Sequence, residues 1–497
     1  MTSGSALIMI NERQAAYTLS CSIPGINSQK PPMHPYADLQ HAVFDRELIA
    51  RYDGHGPRYT SYPTADRFGP LTATEWQQAV ARRQPGSAAK PLSLYFHLPF
   101  CDTICYYCAC NKVITRRRDQ ADTYLDYLER ELALQAGLIA GRSRVQQLHL
   151  GGGTPTFFSD ALLGRLMAAV RRHFELEPDG EYAIEIDPRK VGAQTMAALA
   201  ELGFNRVSIG VQDFDPRVQQ AVNRIQSEAE TAAVITAARD HGFRSVSLDL
   251  IYGLPHQTRA SMTRTLARVI ALRPDRIALY SYAHLPTRFA PQRRINEADL
   301  PDAATKLDIL ADCIATLQAA GYVHIGMDHF ALPEDELAQA QRRGHLHRNF
   351  QGYSTHADCD LLAFGVSAIG MVGGSYAQNA RKLDDYYAAL DADTLPTVRG
   401  YTMQRDDLLR RAVIQALMCQ FQLSFESLEP AYMIDFQSYF AEELQRLQPL
   451  ADDGLVVLRP DGIEVTARGR LLVRTVAMVF DRYLPRQQPV TAYSRLI

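Results

Sequence analysis

The chain has 497 residues, a formal net charge of −3, 46% hydrophobic residues and 22% charged residues. That is ordinary globular material, long enough for about two to four domains, or fewer if one is a large α/β barrel. The near-neutral balance gives no global pull toward nucleic acid or anionic membrane, and no run reaches the roughly 18 apolar residues of a membrane span.

Residues 1–40 carry Pro24, Pro31, Pro32 and Pro35 and read as a poorly ordered N-terminal extension. The first residues have no basic region and only a short apolar run, so no secretory signal is expected. Residues 41–90 contain the turn-rich, aromatic GPRYTSYPTA (Gly56–Ala65) and are expected to pack across the main domain.

Six strand-like runs follow: Leu92–Leu98, Val145–Leu150, Tyr182–Ile186, Arg206–Val211, Ser245–Ile251 and Arg276–Tyr282. Between them lie helical periods, among them Asp122–Gln135, Glu228–His241 and Ser261–Leu272. Strand alternating with helix predicts parallel pairing and right-handed crossovers. The expected fold class is α/β, a partial (β/α)6 barrel with an α-rich C-terminal domain. In such barrels the chemistry collects where the strands end.

Past residue 300 the alternation stops. Ala303–Ala320 reads as a helix, and 341–374, rich in His, Gly, Asn and Ser, as loops over a site, which sets the barrel region at 91–375. Residues 376–497 read as an α-rich or winged-helix-like domain. Its helices are Asp406–Cys419, Phe436–Leu447 and Ala467–Tyr483, and its short strands Leu455–Leu458 and Gly462–Val465. Glu442, Glu443, Asp452 and Asp453 keep it no more basic than average, so DNA binding is not expected.

Of eight cysteines, Cys101, Cys105, Cys108 and Cys110 crowd together, while Cys21, Cys313, Cys359 and Cys419 are scattered. Crowding in a long chain without a signal favours metal ligation in a reducing cytosol over a disulfide framework. The scattered four fit as buried small apolar residues.

The C-x3-C-x2-C run, Cys101, Cys105 and Cys108, follows the first strand directly. Three thiolates on one loop can hold three irons of a [4Fe–4S] cluster and leave the fourth open. S-adenosylmethionine (SAM) can chelate that iron, and an electron from a low-potential cluster would break its C–S bond to give a 5′-deoxyadenosyl radical. The competing reading is a structural zinc site made by His97 and three of the cysteines. Cys110 is either a fourth ligand or a non-ligand near the substrate, and its one-residue gap from Cys108 favours the second.

The other strands also end in unusual residues. The second runs into Gly151-Gly152-Gly153-Thr154, where missing side chains let a ligand approach and leave amides free to bind it. The third ends in Glu185 and Asp187, which share one strand face, with a salt bridge to Arg189 as the plain alternative. Gln212 and Asp213 follow the fourth, with Arg224 nearby. Asp249 sits between leucines in the fifth and needs a partner, either Arg224 or a SAM amino group. Tyr280 to Ala283 end the sixth.

These residues resemble the oxygen-independent, radical SAM coproporphyrinogen III dehydrogenases of haem synthesis. The likeness spans roughly 50–485 and includes GPRYTSYPTA, Cys101–Cys110, GGGTPT, EIDPR, GVQDF, YGLPHQT, MDHFA, FQGYSTH, FGVSAIG and LMCQF. Tyr107 stands where the family often has Phe, and Ala109 where it often has Gly. The resemblance implies two SAM molecules. Tyr95, Cys101, Cys105, Cys108, Glu185 and Ile369 would serve the cluster and its SAM. Tyr107, Gly152, Gly153, Thr154, Gln212, Arg224, Asp249 and Ala283 would serve the second SAM, with Gly152 able to touch the first. It further implies oxidative decarboxylation of two propionates of coproporphyrinogen III to vinyls, giving protoporphyrinogen IX. A monomer in the cytoplasm, fed by a low-potential donor such as flavodoxin or ferredoxin, is the expected form. Arginines suit propionate recognition because their fork is bidentate, with Arg58 and Arg348 as candidates. The nearest rival is the haem-chaperone branch of the same superfamily, which this chain resembles less around Cys110, GPRYTSYPTA and FQGYSTH.

Overall fold

The computed structural model describes residues 41–83, 90–139, 143–357, 359–485, Tyr493 and Arg495. The expected N-terminal extension and Cys21 lie outside the described residues.

The six anticipated strands are present as β1 (Leu92–Leu98), β2 (Arg144–Gly152), β3 (Glu175–Ile186), β4 (Arg206–Gln212), β5 (Ser245–Tyr252) and β6 (Arg276–Ser281). Each pairs in parallel with the next. Helices α1 (Asp119–Gly137), α2 (Asp160–His173), α3 (Ala193–Glu201), α4 (Glu228–Asp240) and α5 (Arg259–Leu272) lie between them. Local chemistry sets several helix starts. Ser227 and Glu230 form a reciprocal capping box at α4, and Asp160 opens α2 behind the Ser159 cap.

The strands' outward residues make the main core. Leu94, Phe96, Leu98, Leu148, Leu150, Ile184, Val207, Ile209, Leu248 and Leu250 pack with Tyr124, Leu125, Leu128 and Leu132 of α1 and their counterparts on the other helices. The inward residues are different. A closed barrel fills its interior with branched apolar side chains. Here the alternate, inward positions include Ser93, Tyr95, His97, Gln147, His149, Glu181, Glu185, Arg206, Ser208 and Asp249. The barrel interior is therefore a polar cavity.

Its N-terminal end is shut. Glu181 accepts from Thr355 Oγ1 at 2.6 Å and Gln147 Nε2 at 3.4 Å, and pairs with Arg206 at 3.5 Å and His356 at 3.5 Å. Ser93 donates to Gln147 at 3.0 Å, and Gln147 donates to Ser354 at 3.1 Å. Ser93, Glu181, Arg206 and Ser354 are all buried.

The expectation of loops over 341–374 is corrected. His347–Asn349 and Gly352–Ser354 form an antiparallel hairpin, and two further strands follow. With β7 (Val323–Gly326), β8 (His329–Ala331), β9 (Asp360–Phe364), β10 (Ile369–Val372), β11 (Ser375–Asn379), β12 (Thr397–Thr402) and the two-residue edge strand Gly69–Pro70, the sheet reaches 13 strands. β8 pairs with β6, and β9 runs parallel to β1. The hairpin spans the seam between the two ends of the barrel: Ser354 reaches Gln147, and the Tyr353 ring meets the ring of His329 edge-on at 5.2 Å.

The C-terminal part has one long helix, α6 (Arg405–Gln420), and a three-stranded antiparallel sheet, Gln422–Ser424, Val456–Arg459 and Gly462–Val465. Two expected helices differ. Phe436–Leu447 is interrupted at Phe440, giving Phe436–Tyr439 and Ala441–Asp452, and the Phe440 ring packs in the core beside Phe436 and Phe480. The last helix is confined to Arg470–Leu472 (3-10) and Val473–Met478. Leu48, Tyr59 and Tyr62 from the N-terminal segment share this second core, while Trp76 and Val80 join the first. Cys313, Cys359 and Cys419 are buried.

Candidate active site

The cysteine loop is fastened from three sides. Gly153 N donates to Leu98 O at 2.8 Å and Thr154 N to Phe100 O at 2.9 Å. Asn223 Nδ2 donates to Ile104 O at 2.7 Å, and Tyr106 N to Val222 O at 3.0 Å. Lys112 Nζ donates to the carbonyls of Cys108 and Cys110 at 3.1 and 3.4 Å. Cys101, Cys105 and Cys108 are partly accessible and Cys110 is exposed.

The three glycines have a different explanation from the expected one. A Cβ on Gly151 would stand 2.8 Å from Glu185 Oε1, and one on Gly152 2.7 Å from the His97 ring. A Cβ on Gly153 would stand 2.6 Å from the Pro99 carbonyl carbon. Gly152 also has φ +113°, which favours glycine. The room they make is taken by protein, and the amides are not free: Gly152 N donates to Glu185 Oε2 at 3.2 Å, and the next two fasten the cysteine loop. Thr154 Oγ1 lies 3.4 Å from Cys101 Sγ.

Glu185 Oε1 accepts from His149 Nε2 at 3.0 Å. Burial alone would raise this carboxyl, but His149 and the Gly152 amide outweigh it and hold it below the usual range. Its side chain is 43% accessible although it lies inside the barrel, so it faces the cavity. Tyr95 stacks on His149 with centroids 5.9 Å apart.

Both ring nitrogens of His97 are engaged by protein groups. Its Nε2 donates to Asn111 O at 2.8 Å, so Nδ1 is the acceptor, and it takes the Tyr95 hydroxyl at 3.1 Å. Burial holds its pKa down. Among the described residues no three His, Cys, Asp or Glu side chains converge as one ion requires. A cubane asks for something else, with each thiolate on its own iron.

Of the two partners open to Asp249, Arg224 is engaged elsewhere. Ser208, on the neighbouring strand, donates to both Asp249 oxygens at 3.2 and 3.3 Å. Burial, then the charge of Glu185, pushes Asp249 up to about 7. Arg224 instead pairs with Asp187 at 3.3 Å, donates to Gly210 O at 2.5 Å and reaches Cys105 Sγ at 3.6 Å. Asp187 is held by Arg189 as well, at 2.5 Å, so the salt-bridge alternative holds for Asp187, while Glu185 is free of it. Gly210 makes room for Gln212 and Arg224, since a Cβ there would stand 2.8 and 2.9 Å from their nitrogens. Gln212 has φ +66°, at a register shift where β4 leaves β5.

The Tyr107 hydroxyl lies near Cys105, and burial raises its pKa. Its carbonyl and that of Ala283 both accept from Gln292 Nε2, at 3.2 Å each. Ile369 packs against Phe68, Tyr376 and Met403. Sequence reasoning missed His149, Ser208 and Gln292. The first two were visible as inward positions of their strands; Gln292 lies in a short 3-10 helix and gave no signal.

A polar, one-ended barrel with three thiols at its active end defines a radical SAM enzyme. Residues 95–269 match the model of the radical SAM superfamily, and residues 403–472 that of the HemN C-terminal domain. An oxygen-independent coproporphyrinogen III oxidase of Pseudomonas aeruginosa is 54% identical over 448 residues, 89% of this chain and 96% of the relative. Its counterpart in Escherichia coli is 50% identical over 460 residues, 92% of this chain and 100% of the relative. The solved structure described as "Coproporphyrinogen III oxidase (HemN) from Escherichia coli is a Radical SAM enzyme" superposes with TM-score 0.85 at 50% identity, covering 89% of this chain and 100% of that one. The chain belongs to the oxygen-independent coproporphyrinogen III oxidase family. Membership implies a [4Fe–4S] cluster and SAM. No described helix is long and apolar enough to cross a membrane.

Proposed function

We propose that this protein converts coproporphyrinogen III to protoporphyrinogen IX without oxygen, oxidatively decarboxylating two propionates to vinyls. The observation that carries this is near-complete coverage, at half identity, of relatives bearing that activity in their names. Cys101, Cys105 and Cys108 would hold the cluster. The donor set fits: three partly accessible thiols on one fastened loop, with Arg224 against Cys105 and Lys112 beside Cys108 to offset negative charge. When bound, cluster and SAM supply the radical chemistry that takes a hydrogen from a propionate.

Tyr95, Glu185 and Ile369 would serve the cluster-bound SAM. Glu185, ionised and cavity-facing, suits its hydroxyl or ammonium groups. Tyr107, Gly152, Gly153, Thr154, Gln212, Arg224, Asp249 and Ala283 would serve a second SAM, giving two consumed per substrate. With the amides committed, the glycines would act through carbonyls. Arg224 would offset charge at Cys105 as well. Cys110 would stay a non-ligand. The working form would be a cytoplasmic monomer fed by flavodoxin or ferredoxin. The chain would divide into segments 41–90, 91–375 and 376–497.

The test is oxygen-free incubation with SAM, dithionite and coproporphyrinogen III. Wild type should release carbon dioxide and Cys105→Ser should not; equal yields from the two would refute the cluster assignment.

A further inference from the structure

We propose that Arg348, with Arg58 beside it, is a receptor for one carboxylate of the substrate, an inference that rests on the function proposed above. Arg348 is 3% exposed. Its Nε donates to Arg58 O at 3.2 Å, and its guanidinium lies 4.8 Å over the Tyr353 ring. Its Nη1 is buried with no hydrogen-bond partner, and no carboxylate pairs with it among the described residues. A buried guanidinium left this way costs stability.

The surroundings point the same way. Arg58 pairs with Asp328 yet keeps 34% of its side chain accessible. Asp328 thus pairs with Arg58, and Arg348 has no carboxylate of its own among the described residues. Burial, and then Arg348, pushes Arg58 down to about 10. His329 next to them is held neutral by burial and by Arg348 and Arg58. Apart from Asp328, the groups facing the pair are Tyr252, Tyr280 and Tyr353, which are neutral, and Arg474, which is cationic. The pair is also joined to the barrel wall by ring contacts: Tyr280 of β6 meets the His329 ring edge-on at 5.9 Å, His329 meets Tyr353 at 5.2 Å, and Arg348 lies over Tyr353. A guanidinium fork matches a carboxylate geometrically, and an ammonium does not.

The experiment uses the cluster-loaded, full-length protein under anaerobic conditions. Arg348→Gln should raise KM for coproporphyrinogen III roughly ten- to a hundred-fold, the effect of losing a charge-assisted bond. Arg348→Lys should recover only part of it. SAM affinity and dithionite-driven SAM cleavage without substrate should stay at wild-type levels, which separates a substrate carboxylate from the carboxylate of SAM. Wild type should prefer the free acid over a substrate with esterified propionates, and Arg348→Gln should narrow that preference. Arg58→Gln, at the more accessible partner, repeats the test should Arg348 variants fail to fold. Unchanged KM, an undiminished preference for the acid, or equal losses in SAM affinity would overturn the receptor. Wild type that turns over SAM but releases no carbon dioxide from coproporphyrinogen III would overturn the functional reading itself.

Discussion

His149 donates to Glu185 at 3.0 Å and stacks its ring on Tyr95 at 5.9 Å, so one imidazole orders both cavity-facing residues. His149→Phe keeps the stack and removes the hydrogen bond. Losing a bond to a charged group costs about 1.5–3 kcal/mol. SAM binding, followed by equilibrium dialysis, should weaken roughly ten- to a hundred-fold, while iron and sulfide content stays at the wild-type level.

The cysteines should divide three to one. Serine at Cys101, Cys105 or Cys108 should abolish the cluster's visible absorbance after reconstitution. Cys110→Ala should keep iron and sulfide in full and lose product formation. Loss of iron in Cys110→Ala would make it a ligand.

Gly153→Ala places a methyl against the Pro99 and Phe100 carbonyls, which are backbone and cannot yield. Overpacking of this kind costs about 1–3 kcal/mol. The strain falls on the cysteine loop, so reconstituted iron content should drop by more than the fall in thermal midpoint accounts for. Gly137→Ala, where a Cβ meets nothing within 4 Å, is the control and should behave as wild type.

Asp249 gives a pH signature. Its pKa is about 7 folded, against about 3.9 unfolded. Between those values the unfolded chain releases a proton that the folded one keeps, so stability falls as pH rises through the window and stays lower above it. Asp249→Asn removes that loss. Measured without SAM, its thermal midpoint should exceed that of wild type more at pH 8 than at pH 5. An equal difference at both would show that burial does not control this carboxyl.

The barrel strands were legible because inward and outward residues alternate. The same period places His149 inside the barrel, although it lies within β2 and not at its end. The glycines show a limit of a different kind. A sequence tells where side chains are missing, but not whether a ligand or a neighbouring carbonyl takes the room. Asp249 needs a partner, and sequence alone left Arg224 and a SAM amino group both open. Strand pairing sets Ser208 of β4 within reach of Asp249, while Arg224, in the loop after β4, meets Asp187. The segment 341–374 looked like loop because its strands are only three to five residues long, and the pairing that ties it to the barrel, β9 on β1, is with an element far away in the chain.

The buried network of Glu181, Arg206, Gln147 and Ser354 gives the barrel a floor. A vessel with a floor fills and empties through one opening. Whatever settles deepest must enter first and leave last, and a ligand above it acts as a stopper. Turnover in such a vessel is a matter of sequence.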